Sequence, residues 1–461
     1  MKHIGIIGGG FSGTMTAIQL IYKATNSIKI TIINDRDNFN KGFAYSPYSK
    51  KHILNVITEK MSAFPDKEHD FLDWVILKEE YKSYDRTLIA NSFLPRYVYG
   101  EYLVDTWEKA KKIASEKNIE LQIIESVVDD IEVSAEIITI VLHTAEKITV
   151  DQCVITSGNQ VPRNPAITNM DFYKSANYFQ NPWMIDSVLH VDSELPVLVI
   201  GNGLTMVDTV FGLLEHGFKN KIYSISPNGF NILPHRHNGL KYTKLVEEFT
   251  ENMSLYDFVK LVNKHVKLVR EYGVTAEPII DSIRPYTQSI WKKLNETERK
   301  KFMARLRHLW GVARHRFPMH SHDKIQQLRI DNKLLIKSGK ILNFTEVSPK
   351  HIEVEYFDKK EKEIKKFEVS RVINCTGPES NLSLVENSFL KKALMKGILK
   401  QDSLYLGVIA DTDTYQILDI NNHKHQHLYT IGSNLKGELW ESTAVNELRV
   451  QADKLAQQLL A

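Results

Sequence analysis

The chain has 461 residues, a formal net charge of +3, 43% hydrophobic and 25% charged residues. That near-neutral balance offers no electrostatic case for nucleic acid or an anionic membrane surface, and no apolar run is long enough to cross a bilayer. The 2 cysteines, Cys153 and Cys375, exclude a disulfide scaffold and suit a reducing cytoplasm, while the length predicts two or three domains.

Lys2 to Gly13 (KHIGIIGGGFSG) is the stretch around which the remaining chain is organised. Ile4, Ile6 and Ile7 predict a short buried parallel strand, Gly8 to Gly13 a turn, and Thr14 to Tyr22 a helix carrying Met15, Ile18, Leu20 and Ile21. Strand, G-x-G-x-x-G turn and helix in that order form the dinucleotide fingerprint. Gly8 would permit the tight turn, Gly10 would let a pyrophosphate approach the backbone, and Gly13 would let helix and strand pack closely. The phosphates would rest at the helix N-terminus, by Phe11 and Ser12, where unpaired N–H groups and the helix dipole favour negative charge. A lysine ahead of an apolar run is also how a secretory signal begins, but the glycines explain the stretch and no small-residue cleavage site comes after it.

Ile28 to Ile33 (IKITII) predicts the second strand. An acidic residue about 20 positions past such a turn holds the adenosine ribose hydroxyls; here Asn34 takes the strand-end position and Asp35 comes next. Then come Lys41 to Ser46 (KGFAYS), His52 to Val56 (HILNV), Met61 to Asp66 (MSAFPD) and Ser92 to Leu103 (SFLPRYVYGEYL). These four stretches are similar to a bacterial FAD/NAD(P)-binding flavoprotein family that includes an FAD-dependent urate hydroxylase and an aspartate N-monooxygenase. More distantly, they resemble flavin-containing and N-hydroxylating monooxygenases. The resemblance implies that Asn55 lies beside the flavin ring, that Tyr45 belongs to the FAD site, and that Arg96 reaches the FAD pyrophosphate. A surface ion pair is the other reading of Arg96.

Thr106 to Lys117 predict an amphipathic helix, and Glu120 to Val150 a small antiparallel insertion. Val154 to Asn159 reads as a buried strand ending in Ser157-Gly158, where glycine would avoid a clash with the nucleotide. Cys153, just before it, reads as a buried thiol. Pro196 to Asp208 (PVLVIGNGLTMVD) repeats the opening: a strand, a turn at Gly201 and Gly203, and a helix from Leu204 and Thr205. Met206 replaces the third glycine, which predicts looser helix–strand packing. Two such units predict one fold for FAD and a second, inserted, for NAD(P)H. After the strand Lys221 to Ser226 come Pro227, Asn228 and Gly229, with no arginine to pair with a 2′-phosphate. That points to NADH, whereas the resemblance points to NADPH.

His235, His237, His320 and His322 lie in Pro-bearing segments without carboxylates at fixed spacing, so polar contacts are expected of them and not metal. Ser254 with Asp257, and Asn295 with Glu298, predict capped helices in a helical insertion spanning about 240–335. Arg305 to His322 is basic with interleaved aromatics; Arg314 or Arg316 is a candidate to meet a cofactor phosphate or a substrate carboxylate, and a solvated basic face is the alternative. Val372 to Pro378, with Thr376-Gly377, repeats the strand-then-glycine pattern and predicts re-entry into the first domain. The ending, with Gly432 and Trp440 to Ala444, again matches the family. It implies a last helix aimed at the flavin and capped by Ser442 or Thr443.

The expected fold is therefore α/β: a discontinuous Rossmann-like FAD domain (1–165 and 345–461) and an inserted NAD(P)-binding domain (185–344) with its helical insertion. The resemblance implies a flavin-dependent monooxygenase that uses NADPH or NADH, FAD and O₂ to hydroxylate a small nitrogen-containing or heterocyclic substrate through a flavin C4a-(hydro)peroxide. An FAD-dependent oxidoreductase without oxygen transfer, and a non-catalytic nucleotide-binding partner or sensor, are the alternatives.

Overall fold

The structure, a computed structural model, describes residues 1–35, 38–236, 239–250, 252–386 and 388–461. Its two main sheets each begin from a glycine turn. The first has six strands in the order Gln416–Leu418, Lys424–Thr430, Gln152–Ile155, Lys2–Ile7, Ile28–Asn34 and Glu120–Glu125. Its central strands are near-continuous apolar runs because both faces are covered, as parallel sheets require. One face lies under the helices Phe11–Lys23, Arg96–Glu116 and Val445–Leu460, sealed by Ile4, Ile6, Met15, Trp107 and Leu455. The other lies under a three-stranded antiparallel sheet, Val128–Val133, Ile138–Leu142 and Lys147–Val150, and the helix Phe389–Met395. Gly5 makes that second contact possible, since a Cβ there would stand 2.9 Å from Ile140 Cδ1.

Seven strands form the second sheet, in the order Glu363–Val369, His351–Asp358, Leu334–Ser348, Ile222–Ser226, Val197–Ile200, Arg371–Asn374 and Tyr178–Phe179. The last four are parallel to one another, and the first three make an antiparallel extension. Helices Leu204–Glu215 and Met319–Ile330 cover one face through Val210, Phe211 and Ile325. Phe172, Tyr178 and Phe344 pack on the other.

Three expectations need correcting. Arg371–Asn374 pairs with Val197–Ile200 and so stays in the second sheet. The chain thus returns to the first domain after Asn374, not at 345, and Tyr178–Phe179 joins the second sheet ahead of 185. Glu120–Glu125 is a parallel edge strand beside Ile28–Asn34, so the antiparallel insertion starts only at Val128. Helix Met319–Ile330 belongs to the second domain's core, so the helical insertion runs from Lys244 to Arg314. Within that insertion both expected caps form: Ser254 Oγ accepts from the Asp257 N–H, and Asn295 with Glu298 makes a reciprocal capping box.

Candidate cofactor and active site

The two glycine turns share one construction. Gly8 and Gly201 have φ of 104° and 108°, a region that favours glycine. Their N–H groups donate to Ile33 O and Ile225 O, each at 2.8 Å. A Cβ on Gly8 would stand 2.3 Å from Thr156 O, and one on Gly201 2.4 Å from Cys375 O. Each turn is thus clamped by the strand that ends in the paired small-residue segment, Thr156-Ser157-Gly158 or Cys375-Thr376-Gly377. Helices then start at Phe11 and Leu204, with Gly10 and Gly203 at the N-caps.

The second turn faces open space, whereas Gly42 approaches the first. A Cβ on Gly203, Gly158 or Gly377 would meet nothing within 4 Å, and one on Gly10 would meet only Gly42 Cα, at 3.6 Å. Gly13 is required for a different reason, because its Cβ would fall 1.9 Å from Gly8 O. Met206, at the matching place in the second unit, does not loosen the packing: it is fully buried in that domain's core. Phe11 is buried and Ser12 half-buried, with Ser12 Oγ facing Gly432. Asn34 is redirected. Its side chain is buried, and Oδ1 accepts from the Gly9 N–H at 2.9 Å, so it braces the turn; the exposed strand-end group is Asp35. Ser157 Oγ approaches Asn434, while Thr376 Oγ1 donates to Asn374 Oδ1.

A cavity of about 3110 Å³ opens between the two domains and the helical insertion. Pockets for a single drug-sized ligand run to about 300–1,000 Å³, so this one has room for extended ligands. Gly201, Gly203, Leu204 and Thr205 line it from the second turn, with Gly158, Thr376 and Gly377 beside them. From the first domain Tyr45, Asn55 and Arg96 reach it. Burial pushes the Tyr45 phenol up to about 12, so it is neutral. The Asn55 backbone carbonyl accepts from His235 Nε2 at 2.9 Å, and His235 is stacked on Phe93. Arg96 makes an ion pair with Asp208 at 3.1 Å, both side chains being largely buried, and keeps its Nε without a hydrogen-bond partner. This pair joins the first domain to the helix behind the second turn. His52 Nε2 reaches the Asp208 carbonyl at 3.1 Å, Ser49 bonds Glu215, and Tyr48 fills the space beside Gly212.

The helical insertion closes the opposite side. Arg314 grips the Glu441 carboxylate with Nε and Nη2 at 3.0–3.1 Å, and Arg316, which is buried, pairs with Glu277 and Asp281. Both arginines line the cavity, each paired with carboxylates of this chain. Trp291 stacks on Trp440 and donates through Nε1 to Gly437 O at 2.7 Å. The last helix, Val445–Leu460, begins at this wall, but neither Ser442 nor Thr443 caps it; its N-cap is Ala444, without a side-chain bond. Ser442 instead donates to Gly432 O and accepts from Gln451, holding the Gly432 turn. Among the described residues no group of three or more His, Cys, Asp or Glu could hold a metal. His322 contacts Gln326 on a helix, and His237 lies outside the described residues. Cys153 and Cys375 are both buried, each in a different core.

Residues 5–160 match a family model described as FAD-NAD(P)-binding. An uncharacterized protein of Escherichia coli K12, YdhS, is 26% identical over 227 residues, which are 47% of this chain and 40% of that protein. The chain thus matches less than half the length of that curated relative. An ornithine hydroxylase from Pseudomonas aeruginosa superposes with a TM-score of 0.67 at 14% identity, over 100% of this chain and 98% of the other. An L-lysine 6-monooxygenase from Pseudomonas syringae gives 0.66 at 13%, over 100% and 99%. This chain therefore has the two-domain fold of flavoprotein monooxygenases. The local glycine chemistry made the two turns visible in the sequence. Nothing local marks Asp208 or Glu441, whose partners are 112 and 127 positions away, and the polar contact expected of His235 is made 180 positions away.

Proposed function

We propose that the protein is an FAD-dependent NAD(P)H oxidoreductase acting as a monooxygenase on a small nitrogen-containing or heterocyclic substrate. The supporting observation is the pair of like-built glycine turns, one per domain, with the second opening directly onto a cavity that also reaches Asn55. In this reading the first domain holds FAD and the second NAD(P)H. Bound FAD would take hydride from the nicotinamide and deliver electrons to O₂, chemistry that side chains do not supply.

The chain's own residues bind, orient and exclude water. Gly10 and the start of helix Phe11–Lys23 offer backbone N–H groups to the FAD pyrophosphate; Gly203, Leu204 and Thr205 do the same for the nicotinamide nucleotide. Arg96 lines the cavity while its Nη2 holds Asp208, so in this reading it would anchor the first domain beside the cofactors. Asn55 lines the cavity and makes no side-chain hydrogen bond among the described residues, so its carboxamide is available to the reacting site. The tryptophan pair and the Arg314–Glu441 clamp shut the wall beside the last helix and would keep bulk water from a bound flavin. A disulfide reductase of similar architecture that works through a cysteine would need an accessible thiol, which two buried cysteines do not provide.

The test begins with the purified protein's colour. Anaerobic NADPH or NADH should bleach bound flavin, and admitting O₂ with a panel of amino acids and heterocycles should give hydroxylated product. Peroxide alone with every substrate would favour the oxidoreductase without oxygen transfer; a colourless protein that binds neither nucleotide would remove the enzyme assignment.

A further inference from the structure

In a dinucleotide unit the adenosine ribose lies at the carboxyl end of the strand after the glycine-turn helix, where an acid selects a 2′-hydroxyl and a cation selects a 2′-phosphate. In the second unit that strand is Ile222–Ser226, and its own continuation, Pro227-Asn228-Gly229, carries neither. The topology supplies a cation from elsewhere. Strand Leu334–Ser348 runs parallel beside Ile222–Ser226, with Ser338 opposite Ser226. The hairpin partner, His351–Asp358, returns antiparallel and ends with Asp358 opposite Gly339. Lys359 comes directly after it, fixed by its N–H donating to Ser338 O at 2.9 Å. Its ammonium then reaches across to Pro227 O at 2.7 Å.

Three features suit this ammonium to an anionic ligand. It forms no ion pair with a carboxylate among the described residues, and a carbonyl uses one of its three N–H donors. The neighbouring Asp358 is buried and occupied, accepting from the Lys360 and Glu361 N–H groups and from Tyr356. Ser226, Pro227 and Asn228 line the same cavity as Gly203, and it is the Pro227 carbonyl that the Lys359 ammonium holds.

We propose that Lys359 is the cofactor-selecting residue, reading the 2′-phosphate of NADPH from the far hairpin in place of an arginine in the Ser226–Gly229 turn. The inference rests on the second unit holding a nicotinamide nucleotide. It is tested by calorimetric binding of adenosine 2′,5′-bisphosphate and of 5′-AMP to the holoprotein, apart from any turnover. The wild type should prefer the 2′-phosphorylated probe by about tenfold or more, the factor of one charge-assisted contact. Lys359→Ala should abolish that preference with 5′-AMP binding unchanged, Lys359→Arg should keep it, and the salt dependence of the bisphosphate should weaken in the alanine variant. Equal affinity of the wild type for both probes, or a preference that survives Lys359→Ala, overturns the assignment alone. Binding of neither probe overturns it together with the nicotinamide reading of the second unit.

Discussion

His235 Nε2 lies 2.9 Å from the Asn55 carbonyl oxygen, so a histidine of the second domain holds the backbone of the residue proposed to face the flavin. Asn55→Ala should retain FAD but divert NAD(P)H oxidation to peroxide. His235→Ala should produce the same uncoupling in milder form, and His235→Gln, which keeps a donor, should restore part of the yield. Product formed per nucleotide oxidised is the measurement; unchanged coupling in Asn55→Ala would remove that residue from the chemistry.

Glycines within one motif should fail in different ways. At Gly13 an added Cβ would collide with Gly8 O, so Gly13→Ala should lower stability by about 3 kcal/mol or more, read by urea unfolding. Gly203 faces open space, so Gly203→Val should fold normally, stay yellow, and lose bleaching by either nicotinamide nucleotide. Gly10→Val, in turn, should leave a protein that loses its flavin on desalting.

The Arg314–Glu441 pair is largely buried, both side chains near one-tenth exposed. Arg314→Ala strands a carboxylate in that wall and should cost about 3 kcal/mol in denaturant unfolding. Replacing both residues, Arg314→Met with Glu441→Leu, should recover most of the loss, because no charge is then left unpaired.

Acid should weaken the domain junction. Burial lowers the His52 imidazole below its ordinary 6.5, against an opposing pull from Asp208, and burial likewise lowers His235. The unfolded chain therefore takes up protons first as pH falls below 6.5, and stability drops there while staying level, for these groups, above it. Each contributes at most about 1.4 kcal/mol per pH unit. Urea midpoints at pH 7.5 and 5.5 should show the fall, and His52→Gln should make it shallower.

What was legible in the sequence was local. A strand of isoleucines, glycines at set spacing and a helical stripe occupy adjacent residues, so both nucleotide units and the capped helices of the insertion could be read directly. Non-local pairing was not legible. The segment Val372–Gly377 has the same apolar-then-glycine pattern whichever sheet it enters, and only its ladder with Val197–Ile200 decides. Arg314 and Arg316 are equally basic in any environment; the carboxylates that claim them come from remote segments. Asn34 ends the strand, as its position in the sequence indicates, but its side chain turns to the Gly9 N–H because that buried donor needs a partner.

Asp208, Gly212 and Glu215 form one stripe along helix Leu204–Glu215, and the first domain touches all three, through Arg96 and His52, Tyr48, and Ser49. Such a spine ties the two lobes together directly behind the second glycine turn, so any hinge at that point would first have to break the Arg96–Asp208 pair. On the proposed reading of that turn, loading and release of a nucleotide would be coupled to the strength of this seam, and loosening it would be felt in the cradle and the lobe contact together.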